Sequence, residues 1–266
     1  MDLQLKGKRA LVSGGSRGIG KAIARVLAEE GVDVALLARD AAQLSATAAE
    51  LATATGRRVV GVAGDTTDDE LTHRAVAEAV QQLGGPMHIL VNAAAEPGGF
   101  AAPPTLEQIG AEQFHREMDT KVMGYIRCAR EVVPGMRAAG WGRIVNISGL
   151  AARQSGSTLG SMRNVAVAAL TKNLADELGP AGIQVSVVHP GLTRTERTGP
   201  LIAERARQQG ISEAQVEAQM AGNSIRHLVD AEEVAFVVAF LCSPRSRAIN
   251  GDAIAVGGGT PRAIHY

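Results

Sequence analysis

Short apolar runs alternate with amphipathic stretches along almost the whole chain. Each run is three or four residues long and consists mainly of Val, Ile, Leu and Ala, which is typical of strands buried on both faces of a parallel sheet. We predict strands at residues 10–12, 34–37, 59–62, 89–91, 144–147, 185–188 and 253–256.

Apolar residues recur at helical spacing between these strands. In the first such stretch Ile19, Ile23, Val26 and Leu27 share one face, and Gly31 marks the end of the helix. Further helices are predicted at about residues 40–55, 69–83, 111–139, 161–178 and 231–242. This alternation predicts an α/β fold, a Rossmann-like, doubly wound parallel sheet with helices on both faces, and it places residues 1–266 in a single domain.

One interval, at about residues 192–230, interrupts the alternation. It follows the sixth strand and is polar, rich in Arg and Gln, and only weakly helical in pattern. Because ligands of such sheets bind beyond the carboxyl ends of the strands, we predict that this segment is a substrate lid. The alternative is a solvated helical excursion.

Composition narrows the classes of partner. The 266-residue chain has 27 basic and 27 acidic side chains, and 3% of its residues are aromatic, so no broad basic surface or stacking platform for nucleic acid is expected. Cys128 and Cys242 have no metal-ligand spacing and indicate a reducing compartment. No apolar run approaches the roughly 18 residues of a membrane span, and the N-terminus has no signal-peptide pattern. We expect a soluble, cytoplasmic protein with a small-molecule substrate and no nucleic-acid or membrane partner.

A glycine-rich turn joins the first predicted strand to the first helix. Glycines at this point allow a tight turn, let backbone approach a pyrophosphate, and let the helix pack on the strand, with the anion at the positive helix end. The alternative is an ordinary turn. The strand before it and the helix after it favour nucleotide binding, by Ser13, Gly14, Ser16, Arg17, Gly18, Ile19 and Gly20.

Charge near the second strand indicates which dinucleotide binds. An acidic residue at the end of that strand would bind the ribose 2′-hydroxyl of NAD, but the strand ends in Arg39, and Asp40 is the first acid after it. Arg17 lies inside the glycine turn, and two guanidinium groups suit a phosphate dianion. We predict NADP(H), with NAD(H) as second choice. The alternative is that both arginines face solvent or pair with nearby acids.

Further motifs, in order from about Leu5 to Gly259, resemble the short-chain dehydrogenase/reductase family. They are Asp65-Thr66, Asn92-Ala93-Ala94-Ala95 (where the family has Asn-Asn-Ala-Gly), Pro190-Gly191-Leu192-Thr193-Arg194-Thr195, Gly251-Asp252 and Gly257-Gly258. The resemblance implies that Asp65 contacts adenine, that Asn92 lines the adenosine pocket, and that the segment from Pro190 holds the nicotinamide carboxamide. It therefore adds Asp65, Thr66, Asn92, Pro190, Gly191, Leu192 and Thr195 to the cofactor-binding residues.

The expected catalytic residues of that family are largely missing. The resemblance places the family's Tyr at Gly160, its Lys at Asn164 and its Asn at Lys121, and Ser148 lies one place before the usual Ser. Lys121 and Asn164 are thus the family's Asn and Lys exchanged, a pattern that resembles ketoreductase domains of modular polyketide synthases. We predict Lys121, Ser148 and Asn164 as catalytic residues. The alternative for Lys121 is a solvated helix position.

No residue of the sequence clearly replaces the tyrosine as proton donor. Tyr125 lies one turn after Lys121, and His189 precedes the Pro190 motif, but each has an ordinary structural alternative. Ser161 is a poor acid, and Arg163 either binds an anionic substrate or faces solvent.

Three functions therefore remain open. The first is an NADP(H)-dependent oxidoreductase acting on a carbonyl or hydroxyl with an atypical catalytic site. The second is a non-catalytic nucleotide-binding protein, a sensor or assembly partner, and the third is a non-redox enzyme that reuses the pocket. The resemblance also implies a homo-oligomer, a tetramer or dimer, formed through the helices at 111–139 and 161–178.

Overall fold

Parallel strands form the centre of the molecule. The computed structural model describes residues 1–95 and 102–259. The strands are β1 (Arg9–Ser13), β2 (Asp33–Ala38), β3 (Val59–Ala63), β4 (Ile89–Asn92), β5 (Gly142–Ile147), β6 (Ile183–Pro190), β7 (Thr193–Arg194), β8 (Val229–Asp230) and β9 (Ala253–Val256). Seven of them make one sheet in the order β3-β2-β1-β4-β5-β6-β9, and every neighbouring pair is parallel.

Helices cover both faces of this sheet. They are α1 (Gly18–Glu29), α2 (Ala41–Thr55), α3 (Asp69–Leu83), α4 (Ala111–Met118), α5 (Gly124–Ala139), α6 (Thr158–Leu178), α7 (Thr198–Gln209), α8 (Glu213–Met220) and α9 (Ala231–Cys242). Of these, α1, α2 and α9 pack on one face, and α3, α5 and α6 pack on the other. The predicted doubly wound α/β fold is therefore confirmed.

The strand residues explain why there are two cores. Successive side chains of a strand point to opposite faces, so a strand covered on both sides must be apolar throughout. In β1, Val12 belongs to the core on the side of α1 and Leu11 to the core on the side of α3. In β2, Leu36 belongs to the first of these cores and Leu37 to the second.

The long helix predicted at 111–139 is interrupted. A π-helical turn at Asp119–Met123 separates α4 from α5. Such turns insert an extra residue and re-aim side chains, often at functional sites. Lys121 lies in this turn and is buried, so the alternative of a solvated position is wrong.

The helix predicted from residue 161 begins earlier, at Thr158. Ser157 caps it, because the Ser157 hydroxyl accepts a hydrogen bond from the backbone N–H of Gly160. This capping adds one turn to α6 and places Gly160 inside it.

The segment at 192–230 is more regular than its sequence pattern indicates. It contains α7, α8 and the small parallel pair of β7 and β8. A separate apolar cluster holds it together, formed by Ile202, Ala206, Val216, Ala221 and Leu228. Because that cluster is small, the helices around it are mostly polar, and their amphipathic signal in the sequence is weak. Among the described residues, no helix has the length and apolar character needed to cross a membrane.

Candidate functional site

A cavity of about 920 Å³ opens at the carboxyl end of the sheet. Its wall includes the β1–α1 turn, the ends of β2 and β3, the π-helical turn, the first turns of α6, and the segment after β6. Of the predicted cofactor residues, those in the wall are Gly14, Ser16, Arg17, Gly18, Ile19, Gly20, Arg39, Asp65, Thr66, Pro190, Gly191, Leu192 and Thr195, and the predicted catalytic residues Lys121, Ser148 and Asn164 lie in it as well.

The glycine turn leaves no space for a side chain at Gly14 or Gly20. A Cβ on Gly14 would lie 2.8 Å from the backbone nitrogen of Ala94, and one on Gly20 would lie 2.2 Å from the carbonyl oxygen of Gly14. The turn therefore folds back on itself and against the chain after β4, with the start of α1 facing the cavity. The N-cap residue of α1 is Arg17, and its side chain forms no capping hydrogen bond. A backbone cradle at a helix N-terminus fits a pyrophosphate.

Two predicted cofactor residues support the site without lining it. The buried Ser13 hydroxyl accepts hydrogen bonds from the backbone nitrogens of Ala93 (3.2 Å) and Ala94 (3.3 Å). Asn92 is also buried, and its side-chain nitrogen donates to Asn146 Oδ1 at 2.9 Å. Both residues fix the end of β4 from behind, whereas Asp65 and Thr66 reach the cavity directly.

Arg17 and Arg39 both line the cavity, and they follow the carboxyl ends of the neighbouring strands β1 and β2. Both are exposed, and neither forms an ion pair or a side-chain hydrogen bond with any residue in the described part of the chain. Asp40 serves another purpose, because its carboxylate caps α2 by accepting from the backbone nitrogen of Gln43 at 3.0 Å. The two guanidinium groups are thus available for a phosphate.

Lys121 and Asn164 meet in the part of the cavity wall that the π-helical turn and α6 form. Lys121 Nζ donates to Asn164 Oδ1 at 3.0 Å and to the carbonyl oxygen of Ser148 at 2.9 Å. The Ser148 hydroxyl donates to the carbonyl oxygen of Asn164 at 3.0 Å. The structure therefore brings the three predicted catalytic residues into one hydrogen-bonded group.

Burial changes the acidity of this lysine. Desolvation, with a smaller contribution from Arg163, lowers the pKa of Lys121 to about 7, while Glu117 acts in the opposite direction. Arg163 lines the cavity and forms an ion pair with Glu117. Its side chain is therefore mostly buried and paired rather than free in solvent.

Gly160 lies one helical turn before Asn164 on α6 and carries no side chain. It lines the cavity, and a Cβ built on it would lie 2.7 Å from Ser157 Oγ and 3.9 Å from the Ala151 methyl group.

The other candidate proton donors are committed to structural contacts or lie outside the cavity wall. The Tyr125 hydroxyl donates to the carbonyl oxygen of Ile147 at 2.7 Å, and burial raises the pKa of that phenol. The Ser161 hydroxyl donates to the carbonyl oxygen of Gln154 at 3.0 Å. His189 is buried in β6 and does not line the cavity. Of Lys121, Tyr125 and His189, only Lys121 lines the cavity.

Comparison with known proteins agrees with this architecture. A family model described as enoyl-(acyl carrier protein) reductase matches residues 14–261. The chain is 35% identical to the short-chain reductase protein NovJ of Streptomyces niveus over 254 residues, which cover 95% of this chain and 93% of that protein. It belongs to the short-chain dehydrogenase/reductase family.

Relatives in this family include proteins named for NADPH. The NADPH-dependent reductase BacG of Bacillus subtilis (strain 168) is 30% identical, over 97% of this chain and 99% of its own length. The crystal structure of L-sorbose reductase from Gluconobacter frateurii, complexed with NADPH and L-sorbose, superposes with a TM-score of 0.91 at 31% identity, covering 99% of this chain and 100% of that one. As a short-chain dehydrogenase/reductase, the chain thus has NADPH-dependent reductases among its relatives.

Two acidic residues of the site were not predicted from the sequence. Glu117 pairs with Arg163, and Glu196 Oε2 accepts a hydrogen bond from the backbone nitrogen of Gly18 at 3.0 Å. Each contact joins residues far apart in the chain, so no local pattern indicates it.

Proposed function

We propose that the protein is an NADP(H)-dependent oxidoreductase that acts on a carbonyl or hydroxyl group with an atypical catalytic site. The observation that carries this proposal is that one continuous cavity is lined both by the glycine cradle and by Lys121 and Asn164. Membership of the short-chain dehydrogenase/reductase family and its NADPH-dependent relatives support it.

The cofactor residues divide into three groups. The N–H groups at the start of α1 bind the pyrophosphate, and Arg17 and Arg39 bind the 2′-phosphate of the adenosine ribose, which favours NADP(H) over NAD(H). Asp65 and Thr66 lie at the adenine. The residues from Pro190 to Thr195 hold the nicotinamide end, where the bound cofactor supplies or accepts a hydride.

Lys121, Ser148 and Asn164 form the catalytic end of the cavity. Asn164 Oδ1 and the Ser148 carbonyl oxygen fix the position of the ammonium group. Two of the three ammonium protons are used in these contacts, which leaves one N–H for the cavity that Lys121 lines. Because burial lowers the pKa of Lys121 to about 7, this nitrogen can hold or release a proton near neutral pH.

A second candidate function is nucleotide binding without turnover, as in a sensor or assembly partner. Gly160 is the observation that favours it, because no side chain fills the family's tyrosine position. A positioned acid contributes about two to four orders of magnitude to such reactions, so its loss can leave binding without useful rate.

A homo-oligomer, dimer or tetramer, is also proposed. The face of α6 carries the exposed apolar side chains of Met162 and Val165, and Met123 is exposed at the end of the π-helical turn, which contacts α6. Exposed apolar side chains on adjacent helices are typical of a surface that another copy covers.

The experiment is a fluorescence titration with NADPH and with NADH, followed by measurement of NADPH oxidation with a panel of ketones, quinones and aldehydes. Preferential NADPH binding with turnover of at least one carbonyl supports the oxidoreductase. Tight NADPH binding without turnover of any compound supports the second function, and no binding of either dinucleotide contradicts both.

A further inference from the structure

A carboxylate of the protein already occupies part of the glycine cradle. Glu196 Oε2 accepts a hydrogen bond at 3.0 Å from the backbone nitrogen of Gly18, the first residue of α1. This N–H belongs to the group of helix-start donors that the proposed function gives to the pyrophosphate. A carboxylate and a phosphate oxygen seek the same positive helix end.

The contact stands in for a local cap. Arg17, at the N-cap position of α1, makes no side-chain capping bond, and the first turn of the helix contains no acidic residue. Glu196 comes instead from a segment 178 residues further along the chain. The helix start is therefore satisfied by a group that can leave without unfolding α1.

Glu196 is fixed by a turn that begins α7. The backbone nitrogen of Thr195 donates to Thr198 Oγ1 at 2.9 Å, and the backbone nitrogen of Thr198 donates to the carbonyl oxygen of Thr195 at 2.9 Å. A Cβ on Gly18 would lie 3.6 Å from Thr195 Cγ2, so this turn packs directly against the cradle. Movement of the Glu196 carboxylate thus acts on the first turn of α7.

The residue before this turn connects it to the rest of the 192–230 segment. Arg194 forms an ion pair with Glu217 of α8 and another, at 2.9 Å, with Asp230 at the end of β8. The contact between Gly18 and Glu196 is therefore continuous with the contacts that organise α7, α8 and the β7–β8 pair.

We propose that Glu196 is an internal occupant of the pyrophosphate subsite, and that binding of NADP(H) displaces its carboxylate and releases the start of α7. The inference rests on the proposed binding of NADP(H) in this cavity. Glu196 is then a residue that sets cofactor affinity and makes the 192–230 segment respond to the cofactor.

Glu196 is expected to weaken NADPH binding in two ways. Before binding, its carboxylate competes for the Gly18 N–H, and after binding, its negative charge remains near that of the pyrophosphate. The charge of a side chain at a helix start shifts an equilibrium by about two- to fivefold, so removing both effects is expected to lower the Kd for NADPH by about three- to thirtyfold.

The test compares Glu196→Ala and Glu196→Gln with the wild type in a fluorescence titration with NADPH. Glu213→Gln is the matched control, because Glu213 is an exposed acid of the same segment that does not line the cavity. We expect the Kd to fall most for Glu196→Ala, less for Glu196→Gln, whose amide oxygen still accepts a hydrogen bond, and not for Glu213→Gln.

A second probe separates competition in the subsite from a general charge effect. Adenosine 2′-monophosphate carries the adenosine and its 2′-phosphate but no pyrophosphate, and its Kd is measured by competition with NADPH. We expect the same Kd for this compound in all four proteins. An equal gain for both compounds would overturn the inference, since Glu196 would then act only through net charge.

Hydrogen exchange gives a readout that is independent of affinity. In the wild type, NADPH is expected to speed the exchange of backbone amide hydrogens at residues 195–200. In Glu196→Ala, these amides are expected to exchange at the faster rate already without the cofactor. Equal NADPH affinity in the wild type and both Glu196 variants overturns this inference alone. Absence of NADPH binding in the wild type and in Glu196→Ala removes the proposed function and this inference together.

Discussion

Lys121 Nζ lies 3.0 Å from Asn164 Oδ1, so the π-helical turn before α5 and the first half of α6 meet through one buried hydrogen bond. The resemblance in sequence implies that the pair exchanges the residue types of the family at these two positions. The amine of Lys121 then reaches from the π-helical turn to the part of the cavity wall that α6 forms with Asn164. The contact explains why both substitutions occur together in this chain, because an ammonium group needs an acceptor when it is buried.

Replacement of Lys121 by Met should change how the stability of the protein depends on pH. Burial lowers the pKa of Lys121 from 10.5 to about 7 in the folded protein. Between these two values the unfolded chain binds a proton that the folded chain does not, so the free energy of unfolding of the wild type rises with pH in this window. Below about pH 7 both states are protonated, and the lysine adds no further pH dependence.

The measurement is urea unfolding of the wild type and Lys121→Met at several pH values. Relative to the variant, the wild type should gain on the order of 1 kcal/mol for each pH unit between about pH 7 and pH 9. Lys172→Met is the control, because Lys172 is exposed and pairs with Asp176 on the surface of α6. Parallel curves for the wild type and Lys121→Met would show that the buried ammonium keeps its proton throughout.

Removal of the two cavity arginines should weaken binding of NADPH without weakening binding of NADH. Neither Arg17 nor Arg39 has a protein partner in the described part of the chain, so each can bind a 2′-phosphate without breaking another contact. A hydrogen bond to a charged group is worth about 1.5 to 3 kcal/mol, which predicts a rise of about tenfold or more in the Kd for NADPH with each alanine substitution.

Arg25→Ala is the control for this titration, since Arg25 lies on α1 outside the cavity and pairs with Glu29. The Kd for NADH should stay the same in all variants. An equal loss for the two dinucleotides would mean that the arginines contact the pyrophosphate or the adenine rather than the 2′-phosphate.

The glycine cradle and the sheet were predictable because their physical requirements are local. At Gly14 and Gly20 other backbone atoms lie so close that a Cβ would collide with them. A strand covered on both faces must be apolar at every position. The Lys121–Asn164 contact was accessible only through resemblance to a known family, since the two residues lie on different helices.

The remaining features depend on contacts that leave no local pattern. Glu196 reaches Gly18 and Glu117 reaches Arg163 across the fold, and neither acid belongs to a motif. The π-helical turn at Lys121 was hidden because its apolar spacing differs from that of an α-helix by one residue. Ser157 is a typical N-cap residue for α6. It lies before the apolar positions that predict the helix from residue 161, so the pattern of apolar residues did not include it.

Charged substitutions on α6 should dissociate the proposed homo-oligomer. Met162 and Val165 are 49% and 50% exposed and lie three residues apart, on one face of the helix. Burial of a glutamate in an apolar interface is unfavourable, so Met162→Glu with Val165→Glu should yield a monomer. Light scattering coupled to size-exclusion chromatography measures the mass.

Phe236→Glu provides the comparison for this experiment, because Phe236 is 54% exposed but lies on α9, which covers the other face of the sheet. That variant should keep the mass of the wild type. A monomeric wild type, or an oligomer that survives the α6 substitutions, would contradict the proposed interface.

Introduction of a tyrosine at Gly160 should raise the rate of carbonyl reduction. The position lines the cavity on the helix that carries Asn164, and we expect the partner of Asn164, Lys121, to stabilise a phenolate there when it is protonated. A Cβ there would lie 2.7 Å from Ser157 Oγ, which caps Gly160 N. The hydroxyl must therefore rotate away, and the lost cap is expected to cost about 1 kcal/mol in the free energy of unfolding.

Gly160→Ala separates the gain in rate from the loss of stability, because it has the same Cβ and loses the same cap but carries no phenol. Both variants should show similar destabilisation in urea unfolding. NADPH oxidation with the carbonyl panel should be about two orders of magnitude or more faster for Gly160→Tyr than for Gly160→Ala, which is the contribution of a positioned acid. If neither variant oxidises NADPH with any carbonyl while both still bind it, a phenol at Gly160 does not restore turnover, and the second function, nucleotide binding without turnover, becomes the better account of this chain.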